Sequence, residues 1–138
     1  MRDMTRAEAL AFLAQGSRTA KLATVRADGS PDVVPVWFAL DGEQILITCQ
    51  STSVKARNLA RDPRAALAVD DEAFPHTFVT VRGTVELATR PPGFAEWTAR
   101  IAGRYTDPAA GARIAEIDDL LMRLTPASIL ARTEIGLP

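Results

Sequence analysis

The stretch AKLATVRADGSPDVVPVWFALDGEQILITC, residues 20–49, decides the fold. Two Asp-Gly pairs, Asp28-Gly29 and Asp41-Gly42, punctuate three runs rich in β-branched and aromatic residues. Glycine accepts the positive φ that tight hairpin reversals need, so the pattern reads strand, turn, strand, turn, strand. The predicted strands are Ala20–Arg26, Val33–Leu40 and Ile45–Cys49. In the middle run Val34, Val36, Phe38 and Leu40 share one face, while Val33, Pro35, Trp37 and Ala39 share the other. Both faces are apolar, so both are expected to be covered. Pro35 has no N–H to give to a ladder, which places this run at an edge, at a bulge, or where a ligand approaches its backbone. A barrel built from these strands would be split there.

Upstream, Thr5 and Glu8 fit a capping box, and Ala9, Leu10, Phe12 and Leu13 form a helical stripe that predicts a first helix ending near Gly16. Downstream, a short helix follows Ser51-Thr52-Ser53 and runs to about Asp62, where Pro63 ends it. Ala65, Leu67 and Val69 alternate as a fourth strand. Phe78–Leu87 alternates more plainly, with Val79, Val81, Val85 and Leu87 facing one way, and is the fifth. Phe94, Trp97, Thr98, Ile101 and Tyr105 recur at helical steps after Pro91-Pro92. Asp107-Pro108 opens another helix, with Ile114, Ile117, Leu120, Leu121 and Leu124 as its buried face and Pro126 as its stop. Ser128–Thr133 predicts a sixth strand. The sum is a mainly β, α+β domain occupying residues 1–138.

The bulk properties narrow the chemistry. A chain of 138 residues is the size of one domain, and no stretch has the composition of a linker. Sixteen basic residues offset seventeen acidic ones, so no general field draws the chain to nucleic acid or to an anionic membrane. An anion must be held locally. Cys49 is the only cysteine, which excludes an intrachain disulfide and a thiolate metal cluster, and suits a reducing cytoplasm. No apolar run approaches the length of a signal or membrane segment. With His76 the only histidine, no Ser–His–Asp triad, zinc site or HExxH helix can be assembled. Asp70, Asp71 and Glu72 read as a solvated strand end, so no metal is expected.

The most specific local feature is Ser51-Thr52-Ser53 immediately ahead of a helix that carries Lys55 and Arg57. A helix N-terminus presents unpaired N–H groups and partial positive charge, hydroxyls can donate, and a lysine one turn in adds a full charge. That combination suits a phosphate. The same spacing equally fits a helix capped by Thr52 or Ser53 with Lys55 in solvent. Trp37 could cover a planar ring or plug the barrel. Trp97 and Tyr105 fit core packing or the wall of a pocket on a partner subunit, and Cys49 reads as a buried apolar residue.

The segment Ala23-Thr24-Val25-Arg26-Ala27-Asp28-Gly29-Ser30-Pro31, the strand Pro35-Val36-Trp37-Phe38, and Ser53-Val54-Lys55-Ala56-Arg57-Asn58-Leu59 followed by Asp62-Pro63-Arg64 resemble the pyridoxamine-phosphate-oxidase-like split barrels. The nearest branch is the deazaflavin-dependent oxidoreductases. The resemblance implies a six-stranded antiparallel split β-barrel and a homodimer with two cofactor sites at the interface. It places the cofactor phosphate at Ser53 and Lys55, with Ser51, Thr52 and Arg57 as supporting donors. Val36, Trp37, Thr48 and Cys49 would lie near the ring. The cofactor would be coenzyme F420, with FMN the alternative, and the reaction a hydride transfer to a conjugated small molecule such as an enone, a quinone or a tetrapyrrole. A non-catalytic flavin-binding dimer is the reading from another class. A haem-handling barrel is a third, with His76, Cys49 or a tyrosine as its only candidate ligands. The tail Leu130–Pro138 lacks the Arg-x-His motif of true pyridoxamine phosphate oxidases, which sets the chain apart from vitamin B6 oxidation. Cations beyond the phosphate site, Arg18, Arg57, Arg61 or Arg64, would suit the anionic polyglutamate tail of F420.

Overall fold

The three strands expected between residues 20 and 49 form, but the middle one is cut in two. A computed structural model describes residues Met1–Pro138 and gives the order β1 (Arg2–Asp3), α1 (Arg6–Ala14), β2 (Ala20–Val25), β3 (Pro31–Val36), β4 (Ala39–Asp41), β5 (Gln44–Cys49), α2 (Val54–Arg61), β6 (Arg64–Asp71), β7 (His76–Thr89), α3 (Phe94–Gly103), α4 (Pro108–Ile117) and β8 (Leu120–Ile135). The strands make one antiparallel sheet in the order β3-β2-β6-β7-β8-β5-β4, with β1 added on β8. The path therefore begins and ends on neighbouring pieces of one run, joined only by Trp37 and Phe38. The barrel closes through the chain and not through hydrogen bonds, which is what makes it split.

Local chemistry explains the elements. The Thr5 hydroxyl accepts from the Glu8 N–H at 3.1 Å and a Glu8 carboxylate oxygen accepts from the Thr5 N–H at 3.0 Å, completing the capping box of α1. Gly29 and Gly42 take φ of +84° and +60° in the two Asp-Gly turns. The barrel interior is filled by Leu22, Ile45, Leu67, Val81 and Met122 from β2, β5, β6, β7 and β8, by Val36 of β3 and by Phe38 at the break, and Ala9, Phe12 and Leu13 of α1 join them. A smaller second cluster forms outside, where Phe94 and Ile101 of α3 cover Ala39, Leu46 and Leu121.

Four expectations are corrected. The residues Leu120, Leu121 and Leu124 do not belong to the helix after Asp107. That helix stops at Ile117, and the three leucines open β8, which pairs with β5 on one side and β7 on the other. A strand buried on both faces and a helix with one apolar stripe produce the same leucine spacing, and the cross-strand partners decide between them. Pro126 accordingly stops nothing. It sits inside β8 opposite Gly83, beside a register shift between Arg82 and Gly83. A Cβ at Gly83 would run into the Thr125 carbonyl oxygen, so only glycine fits there. The outward face of the run 33–40 is covered only at Ala39: Val33 is 63% and Trp37 36% exposed. The strand total is eight instead of six, because the second strand is divided and a two-residue strand precedes α1.

Candidate functional site

A cavity of about 580 Å³ opens where β3 ends. Pro35, Val36 and Trp37 form one wall, Thr48 and Gln50 come from the end of β5, and Lys55 from the first turn of α2. The far side is built by Thr98, Ile101 and Ala102 of α3 and by Ile114, Ile117 and Asp118 at the end of α4. Its volume falls within the range of small-molecule and cofactor sites.

One end is prepared for an anion. Ser53 is the N-cap of α2, its hydroxyl accepting from the Ala56 N–H at 3.3 Å. The N–H groups of Val54 and Lys55 meet no acceptor within the chain, and the Lys55 ammonium makes no hydrogen bond or ion pair. Two free backbone donors and one free cation at a helix N-terminus are what a phosphate group requires. Arg57 donates to the Thr52 carbonyl oxygen at 3.1 and 2.6 Å and so holds the loop ahead of the helix. Ser51 is also committed within the chain: its N–H and its hydroxyl both donate to the Asp119 carboxylate at 2.7 Å. Those two bonds hold the Asp119 carboxyl below the usual carboxylate range.

The other end is aromatic. Trp37 stacks on Tyr105 with ring centroids 5.0 Å apart and planes 9° from parallel. The Tyr105 hydroxyl donates to the Arg18 carbonyl oxygen at 2.9 Å. Arg104, its neighbour, donates to the carbonyl oxygens of Phe38 at 2.6 Å and Leu13 at 3.0 Å, and to that of Gly16 at 3.1 Å. Together these residues pin the break between β3 and β4, so Trp37 presents a fixed face to the cavity. Between the two ends Asp118 accepts from the Thr48 hydroxyl at 3.0 Å. Burial raises its carboxyl above the ordinary value, as does the neighbouring Asp119 carboxylate, against the pull of Thr48 and Lys55. Cys49 is buried behind this wall, its thiol pushed up by burial.

Of the nine residues singled out from the sequence, Val36, Trp37, Thr48 and Lys55 line the cavity. Ser53 caps the helix that carries Lys55, Cys49 lies beneath, and Ser51, Thr52 and Arg57 shape the loop. Thr19, Gln50, Thr98, Ile101, Ile114 and Asp118 were missed as site residues. The arginines considered for a polyanionic tail are engaged internally: Arg18 with Asp71, Arg61 with Val25 and Asn58, Arg64 with Asp62, and Arg57 with Thr52. The Arg64 guanidinium holds the Asp62 carboxyl down to about 2.

A hydrogen-bonded path that starts and stops within one strand run, with a cavity at the gap, defines a split β-barrel protein. The chain belongs to the pyridoxamine 5'-phosphate oxidase family, whose model matches residues 5–132. Among solved structures it is similar to a conserved hypothetical protein from Mycobacterium tuberculosis, with 26% identity and a TM-score of 0.84 over 98% of this chain and 89% of that one. It is similar to an F420 reductase, with 32% identity and a TM-score of 0.70 over 86% of this chain and 93% of that one. It also shares its fold with a haem storage protein from Vibrio cholerae, at 22% identity and a TM-score of 0.77, over 97% and 99% of the two chains. No helix is long and apolar enough to cross a membrane.

Proposed function

We propose that this protein is an oxidoreductase that binds the deazaflavin coenzyme F420 in the cavity at the barrel split and transfers hydride between it and a small conjugated molecule such as an enone, a quinone or a tetrapyrrole. FMN is the alternative cofactor, since both end their ribityl chain in a phosphate. The observation that carries the reading is the unpaired Lys55 ammonium beside two unpaired N–H groups at the head of α2, on a cavity that Trp37 also lines. The likeness to an F420 reductase at 32% identity supports the deazaflavin over FMN. The internal engagement of Arg18, Arg57, Arg61 and Arg64 removes the argument from spare cations and leaves the FMN alternative standing.

On this reading Lys55 and the head of α2 take the phosphate, Ser53 keeps the helix start in place, and Val36, Trp37 and Thr48 border the ring. The redox chemistry belongs to the cofactor; the chain binds it, fixes its face and keeps water from it. Ile101, Ile114 and Ile117 supply the apolar cover. A homodimer with paired sites belongs to the same proposal: the exposed Val33, Trp37 and Ile117 border the split and would be buried by a second copy. No histidine lines the cavity, and His76 begins β7 with its ring against the Asp71 carbonyl oxygen, which disfavours the haem reading.

The test is a parallel titration with coenzyme F420, FMN and haem, followed by ring fluorescence or absorbance, in wild type and Lys55→Ala. Tight F420 binding that the substitution weakens by roughly 10- to 150-fold is expected. Binding of neither flavin-type cofactor would sink the proposal. Oxidation of reduced F420 by a quinone or enone then separates an enzyme from a non-catalytic carrier.

A further inference from the structure

Lys55 and Asp118 are the two ionisable side chains that line the cavity, and the first already has its task at the phosphate end. Asp118 is poorly placed for stability. It is the C-cap of α4, where the negative end of the helix dipole meets its carboxylate, and a second acid follows at once. It is half-buried, and Lys55 is too far away to form an ion pair with it. The Thr48 hydroxyl donates to Oδ2, and Oδ1 receives no hydrogen bond from the chain. Asp119 contrasts with it directly: the same residue type one position on, tied by two short bonds to Ser51 and turned away from the cavity lining. A carboxyl kept in an unfavourable setting, with one oxygen clamped and the other open, is the local conflict expected where chemistry is done.

We propose that Asp118 is the proton donor of the cavity, held by the Thr48 hydroxyl, and that the substrates are those whose reduction needs a proton as well as a hydride: polarised C=C or C=O groups. The inference rests on the function proposed above. A reduced deazaflavin bound there would supply the hydride for the electrophilic carbon. The π bond breaks, and its electron pair takes a proton from Asp118 at the other atom, carbon or oxygen. Two electrons leave the cofactor and the same two reduce the substrate. Asp118 is left as a carboxylate and regains its proton from water. A quinone fits the same balance, each oxygen ending as a hydroxyl. The groups that set the proton affinity of Asp118 are Lys55 from α2, Asp119 beside it, Thr48 and the buried Cys49 from β5, and, through Asp119, Arg90 at the end of β7. Burial and Asp119 keep the proton on; Lys55 and Thr48 draw it off.

Asp118→Asn keeps the shape and the Thr48 contact but cannot give up a proton as the acid does. It is expected to bind F420 as tightly as wild type or tighter, because a negative charge near the phosphate end is gone, while turnover falls about 100-fold, the usual share of a general acid. The alkaline limb of the pH–rate profile that reports loss of the Asp118 proton should vanish, and Thr48→Val should shift that limb while Thr48→Ser restores it. A readout independent of turnover is the carboxyl carbon resonance of Asp118 in the cofactor-free protein, expected to titrate above the ordinary aspartate value. Unchanged turnover and pH profile in Asp118→Asn, or an Asp118 that titrates at the ordinary value, would overturn the inference. If wild type binds no F420 or FMN, the functional reading fails first, in the binding titration, and this inference falls with it.

Discussion

The two ends of the cavity are built in opposite ways. The anion end is local: Ser53, Val54 and Lys55 are consecutive, and the helix they open needs only its own cap to present them. The aromatic end is assembled from afar. Trp37 meets Tyr105 across 68 positions, and the Tyr105 hydroxyl meets the Arg18 carbonyl across 87. The difference teaches that the anion end is fixed by secondary structure and the aromatic end by packing, so damage to the barrel should reach the second before the first.

The sharpest way to break that contrast is Arg104→Ala. Three carbonyl groups, those of Leu13, Gly16 and Phe38, lose their donor, and the ring of Phe38 loses the guanidinium 4.6 Å from its centroid. A loss of about 3 kcal/mol is expected in chemical denaturation, from several bonds to a charged group, some of them partly buried. Trp37 fluorescence should change with it while the helix content of α2 persists. Next comes Lys55→Ala, which removes the one side-chain cation of the anion end. A charge-assisted bond is worth about 1.5–3 kcal/mol, so F420 affinity should fall roughly 10- to 150-fold with no loss of thermal stability. An equal effect on stability would mean that Lys55 serves the fold.

Tyr105→Phe keeps the stack on Trp37 but deletes the hydroxyl that bonds the Arg18 carbonyl. About 1 kcal/mol of stability should go, with little change in cofactor affinity. Tyr105→Ala should cost both. The smallest effect expected is Asp118→Asn on stability. A folded-state pKa raised above the unfolded value means that the carboxylate form opposes folding. The penalty is absent at pH well below the ordinary aspartate range, grows as pH rises from that range through the raised value, and is complete above it. The asparagine variant should therefore melt slightly higher than wild type at pH 7 and equally at pH 3, as scanning calorimetry can check.

The sequence made the anion end legible because its signal lies within five residues: hydroxyls, a cap position and a lysine one turn in. The hairpins were legible for the same reason, since Asp28-Gly29 and Asp41-Gly42 define turns by local backbone demand. The start of β8 was not. Leu120, Leu121 and Leu124 satisfy a helical stripe, and only the pairing with β5 and β7 makes them a strand. Thr98 and Asp118 were hidden at the site for a related reason: each belongs to a helical segment whose docking on the barrel no spacing announces. Trp37 lay between, since the interruption by Pro35 pointed at the gap while the stacking partner did not show.

The division of one run into β3 and β4 also bears on how the chain avoids its own copies in the wrong register. Every open sheet has two edges that can recruit stray strands. Here one edge, β4, is three residues long, too short to template much. The other, β3, carries Pro31 and Pro35, and an edge strand accepts proline where the missing N–H faces away from the ladder. In that arrangement positions 31, 33 and 35 point outward and Val33 alone keeps a donor. The gap at the proposed cofactor site is thus bordered by two edges unsuited to aggregation, and replacing both prolines by threonine would be expected to turn that seam into a nucleus for fibres.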